Sequence, residues 1–155
     1  MPSDNQHDDE AAIAERMRAE HARLEALLAN FSDEELIQPE RFGEWSVKDM
    51  LAHITFWEQR LIAYVNGATE SLVQPDEDES VAIDRINAGV LAANRDRPLA
   101  EVRAAFDASY EQTLALAQSL RAEDLADEVL YGLLAGDTFE HYREHIAMLE
   151  IEQHS

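Results

Sequence analysis

Near the carboxyl end, the segment TFEHYREHIAML sets His141 and His145 four residues apart with Glu144 between them. On a helix, positions i and i+4 lie about 40° apart around the axis and one turn up, so two imidazoles at that spacing project side by side and can reach one ion. Glu144 is displaced from the pair by about 60° to 100° around the same helix. There it could stand at the rim as a proton acceptor, and a solvated surface acid would have the same spacing. The chemistry these residue types could do is that of a metal centre with a base beside it.

Read literally as H-x-x-E-H, the segment matches the signature of one class of zinc proteases, in which two His hold the ion and the Glu is the general base. That arrangement needs a third ligand well downstream, and only ten residues follow His145, so protease chemistry is not expected. Two His alone make a weak site, since a catalytic ion ordinarily takes three protein ligands and keeps one position open. The chain has no cysteine, so a further ligand must be His or a carboxylate. His7 and His154 fall in segments expected to fray. His53, in LAHITFW, is one turn from Met50 and Trp57 and borders an apolar face. His21, beside Met17 and Leu24, is the weaker candidate, and for either residue a hydrogen-bonded packing role is the alternative. Asp49, one turn before His53, and Glu152, two turns after His145, could orient an imidazole through its second nitrogen. Trp57 and Tyr142 read as packing residues.

The elements that must position these side chains are helical. Ile13, Met17, Leu24, Leu27, Leu28 and Phe31 recur at spacings of three and four, predicting an amphipathic helix over about 10–31. Ser32 and Glu35 form a capping-box pattern opening a short turn, and IQPERFGEW reads as a loop. Ser46 as N-cap, with Asp49 three residues on and Gly67 at the far end, bounds a helix of roughly twenty residues. ATESLVQPDEDES reads as a surface loop. Helical patterns follow over about 81–94 and 98–120, the second with the stripe Leu99, Val102, Phe106, Tyr110, Leu114 and Ala117. RAEDLADEVLYGLLAG is less regular and is expected to end at Gly136, with Asp137 capping a last helix and Glu140 as its reciprocal partner. No alternating strand pattern of useful length and no internal repeat occurs. The expectation is an all-α four-helix bundle with short accessory helices, in which sites are built in the core from facing helices.

Composition narrows the class further. A chain of 155 residues with 46% hydrophobic content is the size of one domain; the expected division is an acidic tail over 1–9 and a single domain over 10–155. A formal charge of −21, with only 12 Lys and Arg, argues against nucleic acid as a partner, because phosphate neutralisation needs clustered cations. The first residues are polar and acidic rather than basic then apolar, and no apolar run approaches the length of a membrane span. A cytoplasmic protein is expected, with a homodimer compatible with such a bundle.

At this point the sequence resembles the DinB-like superfamily. FGEWSVKDMLAHITFWEQRLI is similar to that family's second helix, which opens with Trp-Ser/Thr-x-x-Asp/Glu and carries a His about eight residues after the Trp; Trp45, Ser46, Asp49 and His53 have that spacing. TFEHYREHIAMLE is similar to the last helix with its His-x-x-x-His pair, and LLANFSDEEL with LAEVRAAFDASYEQTLALAQSL to the connecting and third helices. The resemblance covers nearly the whole chain after about residue 12. It implies a four-helix bundle with long crossover connections and one divalent metal ion on His53, His141 and His145.

Zinc is the first expectation for that ion, with nickel or iron as alternatives. Related branches include enzymes that use low-molecular-weight thiols such as mycothiol or bacillithiol as co-substrate, and a ClbS-like branch associated with self-protection against a genotoxin, which FGEWS and FSDEEL resemble. The implied function is a metal-dependent hydrolase or thiol S-transferase acting on a small electrophilic or toxic molecule, with Glu144 as a candidate catalytic base. The alternative is a non-catalytic protein that binds or sequesters such a molecule and carries a structural or vestigial metal site.

Overall fold

The computed structural model describes residues 10–68 and 70–153, with side chains described over 12–68 and 70–151. The expected acidic tail lies outside the described residues. The chain forms α1 (Glu10–Leu28), α2 (Asp33–Ile37), α3 (Val47–Val65), α4 (Glu79–Asn94), α5 (Leu99–Ser119), α6 (Ala122–Leu125), α7 (Glu128–Asp137) and α8 (Phe139–Gln153). The only β-type pairing among the described residues is an isolated antiparallel bridge between Phe42 and Trp45. The class is all-α, as expected.

The helices group into two compact units, with the division between Ser109 and Tyr110 inside α5. The unit holding Phe31–Ser109 is organised around α3. Ser46 Oγ accepts from the Asp49 backbone N–H at 3.1 Å, and the Asp49 carboxylate accepts from the Ser46 N–H at 2.9 Å. This closes the expected capping box and satisfies donors that a helix start leaves orphaned. At the other end, Gly67 takes φ +104°, a left-handed conformation that favours glycine. Between these limits Val47, Met50, Leu51, Ile54 and Leu61 are fully buried, each worth about 1.5–3 kcal/mol against exposure. α4 packs on α3. Lys48 fixes the relation of the two, its Nζ donating to the carbonyls of Arg95 and Arg97 at 2.9 and 2.8 Å, just beyond the end of α4.

The unit holding α1, the second part of α5, α6, α7 and α8 is organised around α8, on which α1 and α7 pack. Ile13, Met17, Leu24 and Leu28 supply the buried stripe of α1, and Tyr142, Ile146 and Leu149 that of α8. A charged strip sets their register: Glu20 accepts from Arg23 at 3.0 Å and from Arg143 at 3.2 Å, while Arg23 also reaches Glu150 at 3.3 Å. Arg16 and Arg143 both lie over the Phe139 ring.

The start of α8 corrects the sequence reading. α7 runs through Gly136 to Asp137, so Asp137 ends one helix rather than capping the next. Gly136 has no positive φ and so forms no left-handed cap. The break falls at Thr138 (φ −118°, ψ −107°), whose hydroxyl donates back to the Leu134 carbonyl at 2.6 Å. α1 likewise ends at Leu28, short of the expected Phe31, whose ring instead lies beneath the Arg41 guanidinium.

Candidate metal centre

His141 and His145 lie one turn apart on α8 and are both buried, at 8% and 6% exposure. Their Nε2 atoms are 3.0 Å apart, with ring centroids at 4.6 Å. Two nitrogens bound at about 2.0–2.1 Å to one ion, with an angle of about 90° to 110° between them, sit roughly 2.9–3.4 Å apart. The pair therefore already has the bite of a chelate. Helical spacing brings the two rings to one face of α8, and both are withdrawn from solvent.

His53 sits in the middle of α3, 8% exposed. Its Nδ1 lies 3.1 Å from Asn87 Oδ1 on α4, and the Trp57 indole N–H donates to the same oxygen at 3.0 Å. The Trp45 ring stands at 4.8 Å, tilted by 60°. Burial pushes the His53 imidazole down to about 4, against the opposing effect of its bond to Asn87. The ring is neutral at physiological pH, the form in which His binds metals.

One imidazole nitrogen from each of His53, His141 and His145 lies within 4.8 Å of the others, and among the described residues these three form the group able to hold a metal ion. The donor set fits a divalent ion: three buried imidazole nitrogens, with no carboxylate in the group among the described residues, and a four-coordinate ion on three ligands keeps one position open. The sequence candidates separate accordingly. His21 stacks face to face on Tyr110, with centroids 3.5 Å apart, and lies 3.7 Å from the Glu25 carboxylate, which is a packing role. Asp49 is engaged in the α3 capping box rather than orienting His53. The side chain of Glu152 lies outside the described residues. Glu144 is exposed on α8, one residue before His145.

Two features escaped the sequence reading. Asn87 is the partner of His53, and its signal was an amide set between Ile83 and Val90 on one side of α4. Asp137 is the second: burial pushes its carboxyl up to about 7. A cavity of about 420 Å³ opens beside α3 and α4, lined among others by Phe56, Gln59, Ile86 and Val90; no histidine lines it. No described helix is long and apolar enough to cross a membrane.

Comparison with known proteins agrees with this architecture. An uncharacterised protein from Escherichia coli UTI89, known from a crystal structure, is similar over 93% of this chain and 92% of that one, with a TM-score of 0.75 and 11% sequence identity. At that identity the likeness shows the fold alone. No curated protein matches the chain. The family model described as the DinB superfamily matches residues 16–154. The chain belongs to the DinB superfamily.

Proposed function

We propose that this protein is a mononuclear metal-dependent enzyme, a hydrolase or thiol S-transferase, that acts on a small electrophilic molecule with one divalent ion held by His53, His141 and His145. The observation that carries this reading is the meeting of three buried imidazoles with a chelating pair among them. When bound, a divalent ion held by neutral nitrogens keeps its full charge, acidifies a coordinated water or thiol and polarises a carbonyl. The chain's own residues supply the rest. The imidazoles contribute no negative charge that would offset the ion. α3 carries His53 and α8 carries the His141–His145 pair, each within a regular helix. Glu144, exposed beside the pair, is assigned the role of proton acceptor at the rim.

The test begins with metal content after purification without an affinity column, for the native protein and His53→Ala. One equivalent in the native protein, lost in His53→Ala with little change in melting temperature, is the expected result. Full occupancy in the variant contradicts the three-His site. A panel of electrophiles with and without bacillithiol or mycothiol then separates hydrolysis from thiol transfer. Glu144→Gln is expected to lower kcat by about 10²–10⁴-fold if Glu144 is the base. Retained metal without turnover across the panel would favour a sequestering protein instead.

A further inference from the structure

Asn87 lies on a different helix from His53, and its amide accepts from two ring nitrogens at once. The identities of these groups decide which atoms carry protons. An indole N–H can only donate, so the Asn87 atom facing Trp57 at 3.0 Å is the carbonyl oxygen and not the NH2. That oxygen has no proton to give. The contact at 3.1 Å to His53 Nδ1 is then a hydrogen bond only if Nδ1 is the donor. A neutral imidazole protonated on Nδ1 carries its lone pair on Nε2.

We infer that Asn87 is a positioning residue for metal binding, holding His53 in the Nδ1–H tautomer with Nε2 presented to the ion, and that Trp57 acts through it by locking the amide orientation. This inference deepens the metal-centre reading and rests on it for its functional meaning. It assigns work to two residues that touch neither the ion nor a substrate. Without the indole N–H, the amide can rotate by half a turn and donate from its NH2 to His53 Nδ1. The proton then moves to Nε2 and the ligand atom is lost. Trp57 thereby acts on the centre from one helical turn along α3.

The test uses the full chain and Zn²⁺ alone as probe, with affinity read by competition against a chromophoric chelator, and the histidine tautomers of the metal-free protein read by ¹⁵N NMR. Asn87→Leu removes the acceptor at similar volume and is expected to weaken Zn²⁺ binding by about 10–100-fold, the usual effect of losing a partner behind a ligating histidine. Asn87→Asp keeps an acceptor and is expected to retain native affinity or exceed it. Trp57→Phe keeps an aromatic ring, smaller than the indole, and removes the donor, with an expected loss of about five-fold, equivalent to one neutral hydrogen bond. In the metal-free native protein and Asn87→Asp, His53 is expected to be protonated on Nδ1; in Asn87→Leu the proton redistributes toward Nε2.

Native affinity in Asn87→Leu, equal weakening in Asn87→Leu and Asn87→Asp, or an Nε2-protonated His53 in the native protein would each overturn the inference. If the native protein binds no Zn²⁺, the metal-centre reading fails separately, and the NMR comparison still decides whether Asn87 sets the tautomer. Thermal melts of the metal-free variants identify any that lose the fold, for which Trp57→Phe and Asn87→Asp carry the decision.

Discussion

The two sources of imidazole in this protein are built differently. His53 is held by the amide of Asn87 on α4, to which the Trp57 indole also donates, and by the ring of Trp45 just before α3. His141 and His145 are placed by helical spacing, with their Nε2 atoms 3.0 Å apart. A contact between two imidazole nitrogens needs a proton on one of them, whereas a ligating nitrogen must present a lone pair. Loading the α8 pair would therefore move a proton, whereas the tautomer inferred for His53 would leave its Nε2 the ligand atom. The contrast teaches that a ligand set by neighbouring polar groups and a pair set by helical spacing alone would respond differently to an ion.

The same two regions differ in how pH acts on them, and this gives the largest stability effects. His53 has its folded value near 4, below the ordinary 6.5. The stability of the neutral ring is fully present above pH 6.5 and is lost as pH falls toward 4, to an extent on the order of 3 kcal/mol. Asp137 has its folded value near 7, above the ordinary 3.8. Its burial costs nothing below pH 3.8 and destabilises progressively as pH rises to 7, by about 2–4 kcal/mol.

Asp137→Asn should accordingly raise stability at pH 8 and leave it nearly unchanged at pH 3.5, as measured by denaturant unfolding. Hydrogen exchange should find α3 loosening toward acid and the α7–α8 junction loosening toward neutral pH. Equal pH responses in the two regions would break the comparison.

Smaller substitutions sharpen it. Ser46→Ala removes the N-cap that starts α3 and should lower stability by about 1 kcal/mol, with exchange increasing first in the turn before His53. Arg143→Ala removes an exposed link between α8 and Glu20 together with a contact on Phe139. Its expected cost is below about 1 kcal/mol, with Zn²⁺ affinity unchanged. A large loss of affinity there would mean that the α8 pair depends on surface ion pairs rather than on buried packing.

Much of this was readable in the sequence because it is local. The capping boxes at Ser32 and Ser46, the left-handed Gly67 and the stripe on α1 all depend on residues within a turn or two. The chelating pair on α8 is of the same kind, since i and i+4 on one helix need no tertiary information. What escaped depends on other things. Asn87 meets His53 across 34 residues, and no periodicity in α4 states which amide faces which ring. The junction at Thr138 was misplaced because Asp137 and Glu140 imitate a capping box, while Gly136 keeps an ordinary helical conformation. The raised Asp137 follows from burial, which appears only when the helices are packed.

The central claim is that three histidines from two helices hold one ion. Its most direct test is Zn²⁺ titration of the metal-free native protein beside His53→Ala, His141→Ala and His145→Ala, with stoichiometry and affinity read together. The account predicts one ion per native chain and a loss of about 100-fold or more in each variant, because two His make a weak site. One ion per chain bound equally well in His53→Ala would contradict it.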